Sequence, residues 1–563
     1  MTTNSYDYII VGAGSAGCVI AYNLLTRKKG TVLLLEAGGN DNNLFIKAPG
    51  GMALVIPKKS WPYMAEPEPY TQNRNMDVLQ GRVLGGGSSI NGMVYVRGQR
   101  SDYDAWENEF GAAGWNGDTM LHYFKKAENN EAMADEYHGN KGQLFVSENR
   151  YRHPMSDAFV RAGQQAGYDY IVDHNGARME GVGFYQTTTH NGERASTART
   201  YLKQVRDDKN LTLELNAMVS RVEIENGRAT GVTYKVHGKE ITATAKQEVI
   251  VSAGAIGSAK VLQLSGVGPA DVLKRAGVKQ KLELPVGKNF HDHLHMSVNA
   301  TIKEPISLYG QDKGLKALGH GIEWVFSRSG VLTSPILEAF AFIDSTGSGK
   351  PDVQFHFLPI LDTWDDPDLN QKGRTHGVTI KTGHLQPKSR GEVEIRSANP
   401  EELPRIRAAY LEKEEDVQGQ IRATKLALKF FEQPALKEHV VEVFNPTCSA
   451  DDDAAIEEYV RRVSRTVYHP VGTCRIGQDP ATSVVDPELR VHGIKGLRVA
   501  DSSVMPHIPS GNTNAPTIAI AEKASDLICG VKDPLGSQTL AAKAKTAKPA
   551  AKAREAEAEL AVK

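Results

Sequence analysis

The sequence is short of several features that would each point to a class of protein. Its 563 residues hold only four cysteines, Cys18, Cys448, Cys474 and Cys529, and none of them form a CxxC pair. That scatter offers neither a disulfide framework nor a zinc site and suits a reducing compartment. Neither charge is in excess: 66 basic residues face 67 acidic ones, a formal net charge of -1. Nothing in that balance attracts nucleic acid. No apolar run approaches the roughly 20 residues that a membrane-spanning helix needs. The stretch from Met1 to Tyr8 lacks the basic and apolar regions of a secretory signal. No internal repeat is present. The expectation is a cytoplasmic protein, with peripheral attachment to the inner membrane left open.

What is present reads as an ordinary globular enzyme, 40% hydrophobic and 24% charged. Its length calls for two structural units, which can be interwoven. The clearest signal comes first. Tyr8-Ile9-Ile10-Val11 is a short apolar run, followed by Gly12-Ala13-Gly14-Ser15-Ala16-Gly17 and an Ala/Leu-rich stretch to Leu25. After a Lys/Gly turn, Thr31-Val32-Leu33-Leu34-Leu35 ends in Glu36. Run length and breakers give strand, tight turn, helix, strand, a βαβ unit opening a parallel sheet. In such a turn Gly12 permits the bend, Gly14 lets a pyrophosphate approach the backbone, and Gly17 lets helix and strand pack closely. The helix start, including Ser15 and Ala16, presents N–H groups to phosphates, and Glu36 can accept from ribose hydroxyls. A dinucleotide is implied, but this motif does not separate FAD from NAD.

Further along, Leu211 to Tyr234 alternates and carries an Asn226-Gly227 hairpin signal. Glu248 to Gly254 resembles a buried strand ending at glycine. Residues 300–450 carry longer amphipathic helices such as Val417 to Phe431, and Asp451-Asp452-Asp453 starts another helix. From Asp533 the chain turns to Ala and Lys, a disordered or loosely helical tail whose Lys543, Lys545, Lys548 and Lys552 are a candidate contact for an anionic surface.

Gly81 to Gly98, GRVLGGGSSINGMVYVRG, is a dense run of small residues around Asn91 that can lie flat against a planar ligand. It resembles the first signature of the glucose-methanol-choline oxidoreductases, which include choline dehydrogenase and aryl-alcohol oxidase. Gly254 to Gly268 is similar to the second signature, and with the C-terminal motifs the resemblance spans about residues 5–530. It implies a mixed α/β fold: a Rossmann-like FAD-binding domain with an interleaved substrate-binding domain of sheet and helices. The expected parts are residues 1–300 (with a substrate-side insertion near 150–195), 301–450 on the substrate side, 451–532 completing the FAD domain, and the 533–563 tail. It also implies that Gly12, Gly14, Gly17 and Glu36 hold the ADP half of FAD. Val83, Asn91, Gly92, Met93 and Val94 line the flavin, Val219 meets adenine through its backbone, and Asp501 lies near the ribityl-pyrophosphate. Asp501 also reads as a strand-end carboxylate serving local N–H groups. Some relatives attach FAD through a histidine just before the Asn; here that place holds Ile90, so the FAD is expected to be non-covalent.

Oxidising an alcohol with a flavin needs a base for the hydroxyl proton, and histidine is the usual one. Of 17 histidines, His469 sits in Tyr468-His469-Pro470-Val471-Gly472-Thr473, which is similar to the family's catalytic setting. Asn512, in Ser510-Gly511-Asn512-Thr513-Asn514, matches the partner position and can donate to the substrate oxygen. Asn514, two residues on, reads as a capping or turn residue. His291-Asp292-His293-Leu294-His295 offers a metal-binding alternative if extended, but the resemblance places this stretch near the flavin domain, and no metal is expected. Glu338 is a candidate to face substrate. The implied reaction is oxidation of a primary alcohol to an aldehyde, electrons passing to a quinone or other acceptor. Alternatives are an oxidase that makes hydrogen peroxide, a choline dehydrogenase, and a non-redox lyase or decarboxylase.

Overall fold

The structure, a computed structural model, describes residues 4–362 and 375–531; the C-terminal tail lies outside them. Strand Ser5–Val11, helix Ser15–Thr26 and strand Val32–Glu36 form the expected opening unit. The first strand pairs in parallel with Val32–Glu36 on one side and with Lys239–Val251 on the other. Leu211–Leu215 extends this sheet beyond Val32–Glu36, also in parallel, and Leu497–Val499 pairs with the end of Lys239–Val251. Val32–Glu36, apolar up to its final glutamate, is buried on both faces, as a parallel sheet flanked by helices requires.

The alternating stretch from Leu211 is divided. Asn216, with φ 55°, ends the parallel strand, and an antiparallel hairpin follows, Met218–Glu225 against Arg228–Val236. Its turn has φ 48° at Asn226 and 72° at Gly227, the pair of positive values that an Asn-Gly hairpin turn uses. Lys239–Val251 then returns to the centre of the sheet, and helix Gly254–Leu264 leaves it directly.

A second seven-stranded sheet lies beyond the first, in the order Val440–Asn445, Leu294–Ile302, Gly377–His384, Val353–Leu358, Ala339–Ile343, Gly181–Phe184, with Arg465–Thr466 paired to the start of Leu294–Ile302. All its pairings are antiparallel. Side chains alternate across such strands. Val353, Phe355 and Phe357 join Val378 and Ile380 in a core with Phe159 and Phe430, from helices Pro154–Gln165 and Glu414–Phe431. The intervening Gln354, His356 and Lys381 point the other way, toward the first sheet. The helix after the acidic run begins at Asp453, and Asp452 caps it by accepting from Ala455 N–H at 3.0 Å.

Candidate active site

A cavity of about 520 Å³ lies between the two sheets. One end is walled by the first βαβ turn (Gly12, Gly14, Ser15, Ala16), Glu36, Gly86, Gly87 and Asn91 to Val94. Ala217 to Val219, Gly254 and Asp501 close that end, and His469, Asn512, His295, His356, Lys381, Leu358 and Leu361 line the other. Turns and strands far apart in sequence thus share one space.

The glycines of the turn differ in what surrounds them. A Cβ on Gly17 would sit 1.9 Å from Gly12 O, and one on Gly12 would meet Ser252 O at 2.5 Å. Those two positions are closed by packing. A Cβ on Gly14 would meet nothing nearer than Gly86 Cα at 3.8 Å, and Gly87 and Gly254 have nothing within 4 Å. Open space therefore lies against backbone at the start of helix Ser15–Thr26, where N–H groups favour an anion. Glu36 closes this end. Its carboxylate accepts from Gly38 N at 2.8 Å and Ala13 N at 3.1 Å, and burial pushes its pKa up to about 7 despite both bonds. This cradle fits an FAD pyrophosphate and ribose.

Asp501 lines the cavity but is also served locally. It accepts from Gly254 N at 2.8 Å, Ser258 Oγ at 2.5 Å and Ser503 N at 2.8 Å, so it ties the Gly254–Leu264 helix start to the strand before it. Val83 stands apart from the expected set. It is buried with Ile46, Val55 and Ile90 behind the cavity wall and does not line the space. Ile90 itself does. Asn91 is held by Arg194, which no motif singles out. Arg194 is 1% exposed and donates to Asn91 O at 2.6 Å and Asn91 Oδ1 at 2.8 Å, with burial lowering its pKa to about 9.

At the other end His469 and Asn512 meet, with Asn512 Nδ2 3.2 Å from His469 Nε2. Two relays, each ending on a backbone carbonyl, fix which atoms face the cavity. A carbonyl only accepts, so His293 Nε2 must carry the proton that bonds Leu385 O at 3.1 Å. His293 Nδ1 is then a lone pair, and His469 Nδ1, 3.4 Å away, is the nitrogen that donates to it. His469 Nε2 is left as an acceptor. On the other side Tyr185 OH donates to Phe355 O at 3.2 Å, and Gln354 Nε2 donates to Tyr185 OH at 2.9 Å and to Asn512 Oδ1 at 3.2 Å. The Asn512 amide is thereby oriented with its NH2 toward His469. The site presents one basic nitrogen and one N–H donor side by side.

The loop carrying His469 is pinned by Asp292. Its carboxylate accepts from His469 N at 2.8 Å, from Tyr410 OH at 3.0 Å and from the Thr466 hydroxyl. The ring of His469 is partly exposed, onto the cavity it lines. The surrounding protein still excludes enough water, and His293, His356 and His295 add enough like charge, to hold its pKa well below the ordinary histidine value. Asn514 does not act as a cap; its amide donates to Ser15 Oγ at 2.8 Å and so links the last helix, Asn514–Ile528, to the first.

The His291–His295 stretch is extended, but its side chains part company. His291 Nδ1 donates to Asn289 O at 2.7 Å and its Nε2 accepts from Ile508 N at 2.9 Å. Asp292 and His293 serve His469, and His295 accepts from the Lys381 ammonium at 2.9 Å. Among the described residues no group of three His, Cys, Asp or Glu is placed to hold a metal. Glu338 faces away from the cavity. It is fully buried and accepts from Ser334 Oγ at 2.6 Å, His153 N at 2.7 Å and Ser156 Oγ at 2.8 Å. Among the described residues, the carboxylate that lines the His469 end of the cavity is Asp362, which is ion-paired with Lys381.

Known proteins share this architecture and sequence. Two oxygen-dependent choline dehydrogenases align over nearly their whole length. That of Vibrio vulnificus is 42% identical, covering 95% of this chain and 96% of the relative. That of Sinorhizobium fredii is 40% identical, covering 94% and 96%. Among solved structures, pyridoxine 4-oxidase from Mesorbium loti superposes with a TM-score of 0.84 at 28% identity, covering 92% of this chain and 98% of that one. A formate oxidase superposes with a TM-score of 0.88 at 26% identity, covering 94% and 99%. The cofactor this fold and cradle serve is FAD. The N-terminal GMC oxidoreductase profile matches residues 6–295 and the C-terminal one residues 387–521, so the chain belongs to the GMC oxidoreductase family.

Proposed function

We propose that this chain oxidises a primary alcohol to an aldehyde, with His469 taking the hydroxyl proton on Nε2 and Asn512 donating to the same oxygen. The observation that carries this is the pair of carbonyl-anchored relays, which leave a lone pair and an N–H directed at one point of the cavity. A hydroxyl placed there gives its proton to the imidazole while the amide holds the oxygen as negative charge grows on it. Bound FAD supplies the acceptor for the hydride. On the cofactor side Gly12, Gly14, Ser15, Ala16 and Glu36 hold the ADP half, Asn91 to Val94 flank the flavin, and Val219 borders the adenine.

Choline is the first substrate to test, since the relatives at about 40% identity carry that name. Their names also include oxygen, and the solved neighbours include oxidases, so oxygen stands with a quinone among the candidate acceptors. One observation favours a neutral alcohol over choline. Among the described residues the carboxylate at the His469 end of the cavity, Asp362, already pairs with Lys381, Glu338 is turned away, and much of that end is lined by Leu337, Leu358, Ile360 and Leu361. The deciding experiment is anaerobic mixing of the yellow protein with choline, its neutral tert-butyl isostere and a series of straight-chain and aromatic alcohols, followed by air. Flavin bleaching names the substrate, and the speed of recovery in air separates oxygen from another acceptor. A protein that holds FAD and is bleached by no alcohol refutes the proposal.

A further inference from the structure

An amphipathic helix in a globular protein ordinarily turns its apolar stripe inward. Helix Gly314–Ser327 does the reverse. Leu315, Leu318, Ile322, Val325 and Phe326 recur at the three- and four-residue spacing of a single helix face. They are exposed by 86%, 59%, 52%, 47% and 85% respectively. The opposite face carries Trp324, 1% exposed, whose Nε1 donates to Gly192 O at 2.8 Å. Arg328, just past the helix end, lies 4.2 Å over the Trp324 ring, donates to Trp324 O at 2.6 Å and pairs with Glu193 at 3.0 Å. The helix is anchored by its few inward groups and presents its apolar side to solvent.

The apolar surface continues onto neighbouring elements. The turn Val331–Thr333 packs against this helix and against the turn Pro49–Gly51, where a Cβ on Gly50 would touch Leu332 at 3.2 Å. On either side of Pro49–Gly51, Leu44, Phe45 and Leu54 are exposed by 54%, 49% and 57%. Met52 and Ala53, adjacent to Leu54, line the active-site cavity. A patch of this size on a soluble protein marks a surface that binds something.

Its charges indicate what. Residues 44–59 carry Lys47, Lys58 and Lys59 and no carboxylate, and Lys313 and Lys316 flank the start of the helix, against Asp312 and Glu323 alone. We propose that this face docks on a phospholipid bilayer with anionic headgroups, the Leu, Ile, Val and Phe side chains entering the acyl boundary while the lysines meet phosphates. A symmetric contact between two copies would bring the same lysines face to face, which disfavours that occupant. No helix among the described residues is long and apolar enough to cross the membrane, so the attachment is peripheral.

The test is co-sedimentation of the full-length, FAD-loaded protein with vesicles of phosphatidylcholine mixed with phosphatidylglycerol, and with phosphatidylcholine alone. Binding is expected on the anionic vesicles and weaker on the neutral ones. The double variant Leu315→Ser, Phe326→Ser should lose about tenfold or more of its partitioning with its flavin spectrum unchanged. Lys313→Glu with Lys316→Glu should weaken binding to anionic vesicles and reduce the dependence on lipid charge. The C-terminal lysines are intact in all of these, so undiminished binding by the apolar variant would assign attachment to the tail and overturn the proposal. Absence of vesicle binding by the unmodified protein overturns it as well. So does a dimer in lipid-free buffer that the apolar variant dissociates, because a second copy would then cover the face.

Discussion

If the relay through His293 sets the tautomer of His469, breaking it should cost rate rather than substrate binding. In His293→Leu the Nδ1–H of His469 loses its acceptor, and a buried donor without a partner costs about 1–3 kcal/mol. The ring escapes that cost by moving its proton to Nε2, where it can no longer accept from a hydroxyl. At 1.4 kcal/mol per decade, the productive tautomer becomes scarcer by roughly 10- to 100-fold. The rate of anaerobic flavin reduction at saturating alcohol should fall by about that factor while KM changes little. His293→Asn places an amide oxygen near the former Nδ1 and should restore the rate to within a few-fold. A second readout is pH. His293 is among the groups that lower the His469 pKa, so His293→Leu should shift the acid limb of the rate profile toward higher pH. An unchanged rate in His293→Leu, or a loss equally severe in His293→Asn, would refute the tautomer reasoning.

In the unmodified protein the lowered His469 pKa keeps the ring neutral at pH values where an ordinary histidine is protonated, so flavin reduction should stay level as pH falls through 6.5. A drop centred near 6.5 would contradict this. Gly14→Ala meets no protein atom nearer than 3.8 Å and should fold, yet its methyl enters the phosphate space and should weaken FAD binding; Gly17→Ala, 1.9 Å from Gly12 O, should yield little folded protein. Fluorescence titration of FAD and thermal melts separate the two outcomes. Asp292→Ala strands three donors, His469 N, Tyr410 OH and the Thr466 hydroxyl, at about 1–3 kcal/mol each where they stay buried. Its melting temperature should fall by several degrees and flavin reduction should slow together with it. Acid precipitation should release all the FAD into the supernatant, because Ile90 occupies the position that could otherwise bond it; a yellow pellet would contradict this.

The opening βαβ unit and the Asn226-Gly227 hairpin were legible because each is local: a run, a turn and another run within about 30 residues specify it. His469 and Asn512 were legible only through motif resemblance, since nothing near either residue dictates a cavity. A sheet on the substrate side is expected only through the resemblance, while the residues of 300–450 taken alone point to amphipathic helices. The sheet's signal is the alternation of Val353-Gln354-Phe355-His356-Phe357, apolar residues to one face and polar ones to the other. Helix Glu414–Phe431 carries the longer periodic pattern in this region. The relays were not legible at all. His293 lies 176 residues from His469, and Gln354 lies 158 from Asn512, so only the pairing of distant strands brings each to its partner. Val83 lies inside a matched signature, with its side chain packed behind the wall rather than in it.

The depressed basicity of His469 is consistent with catalysis once the substrate oxygen is counted. Passing a proton from a hydroxyl to the ring creates an imidazolium and an alkoxide together, a pair with no net charge. Burial, the largest cause of the lowered pKa, weighs on both charges, but the neighbouring His293, His356 and His295 that also disfavour the imidazolium favour the alkoxide for the same electrostatic reason, and Asn512 adds a donor to the oxygen alone. The same surroundings act differently on a substrate that brings a fixed positive charge. A quaternary ammonium has no counter-charge created beside it during the reaction, and Asp362 is already engaged by Lys381. At an effective dielectric constant of about 20, an uncompensated like charge some 6 Å away costs about 3 kcal/mol, and the Asp362 pairing offsets most of that, leaving roughly 1. Choline should therefore reduce the flavin less readily than its neutral tert-butyl isostere by about five- to tenfold in kcat/KM. Preference for choline would mean that Asp362 leaves Lys381 to meet the ammonium when substrate enters, and the specificity suggested by the names of the relatives would then hold for this chain as well.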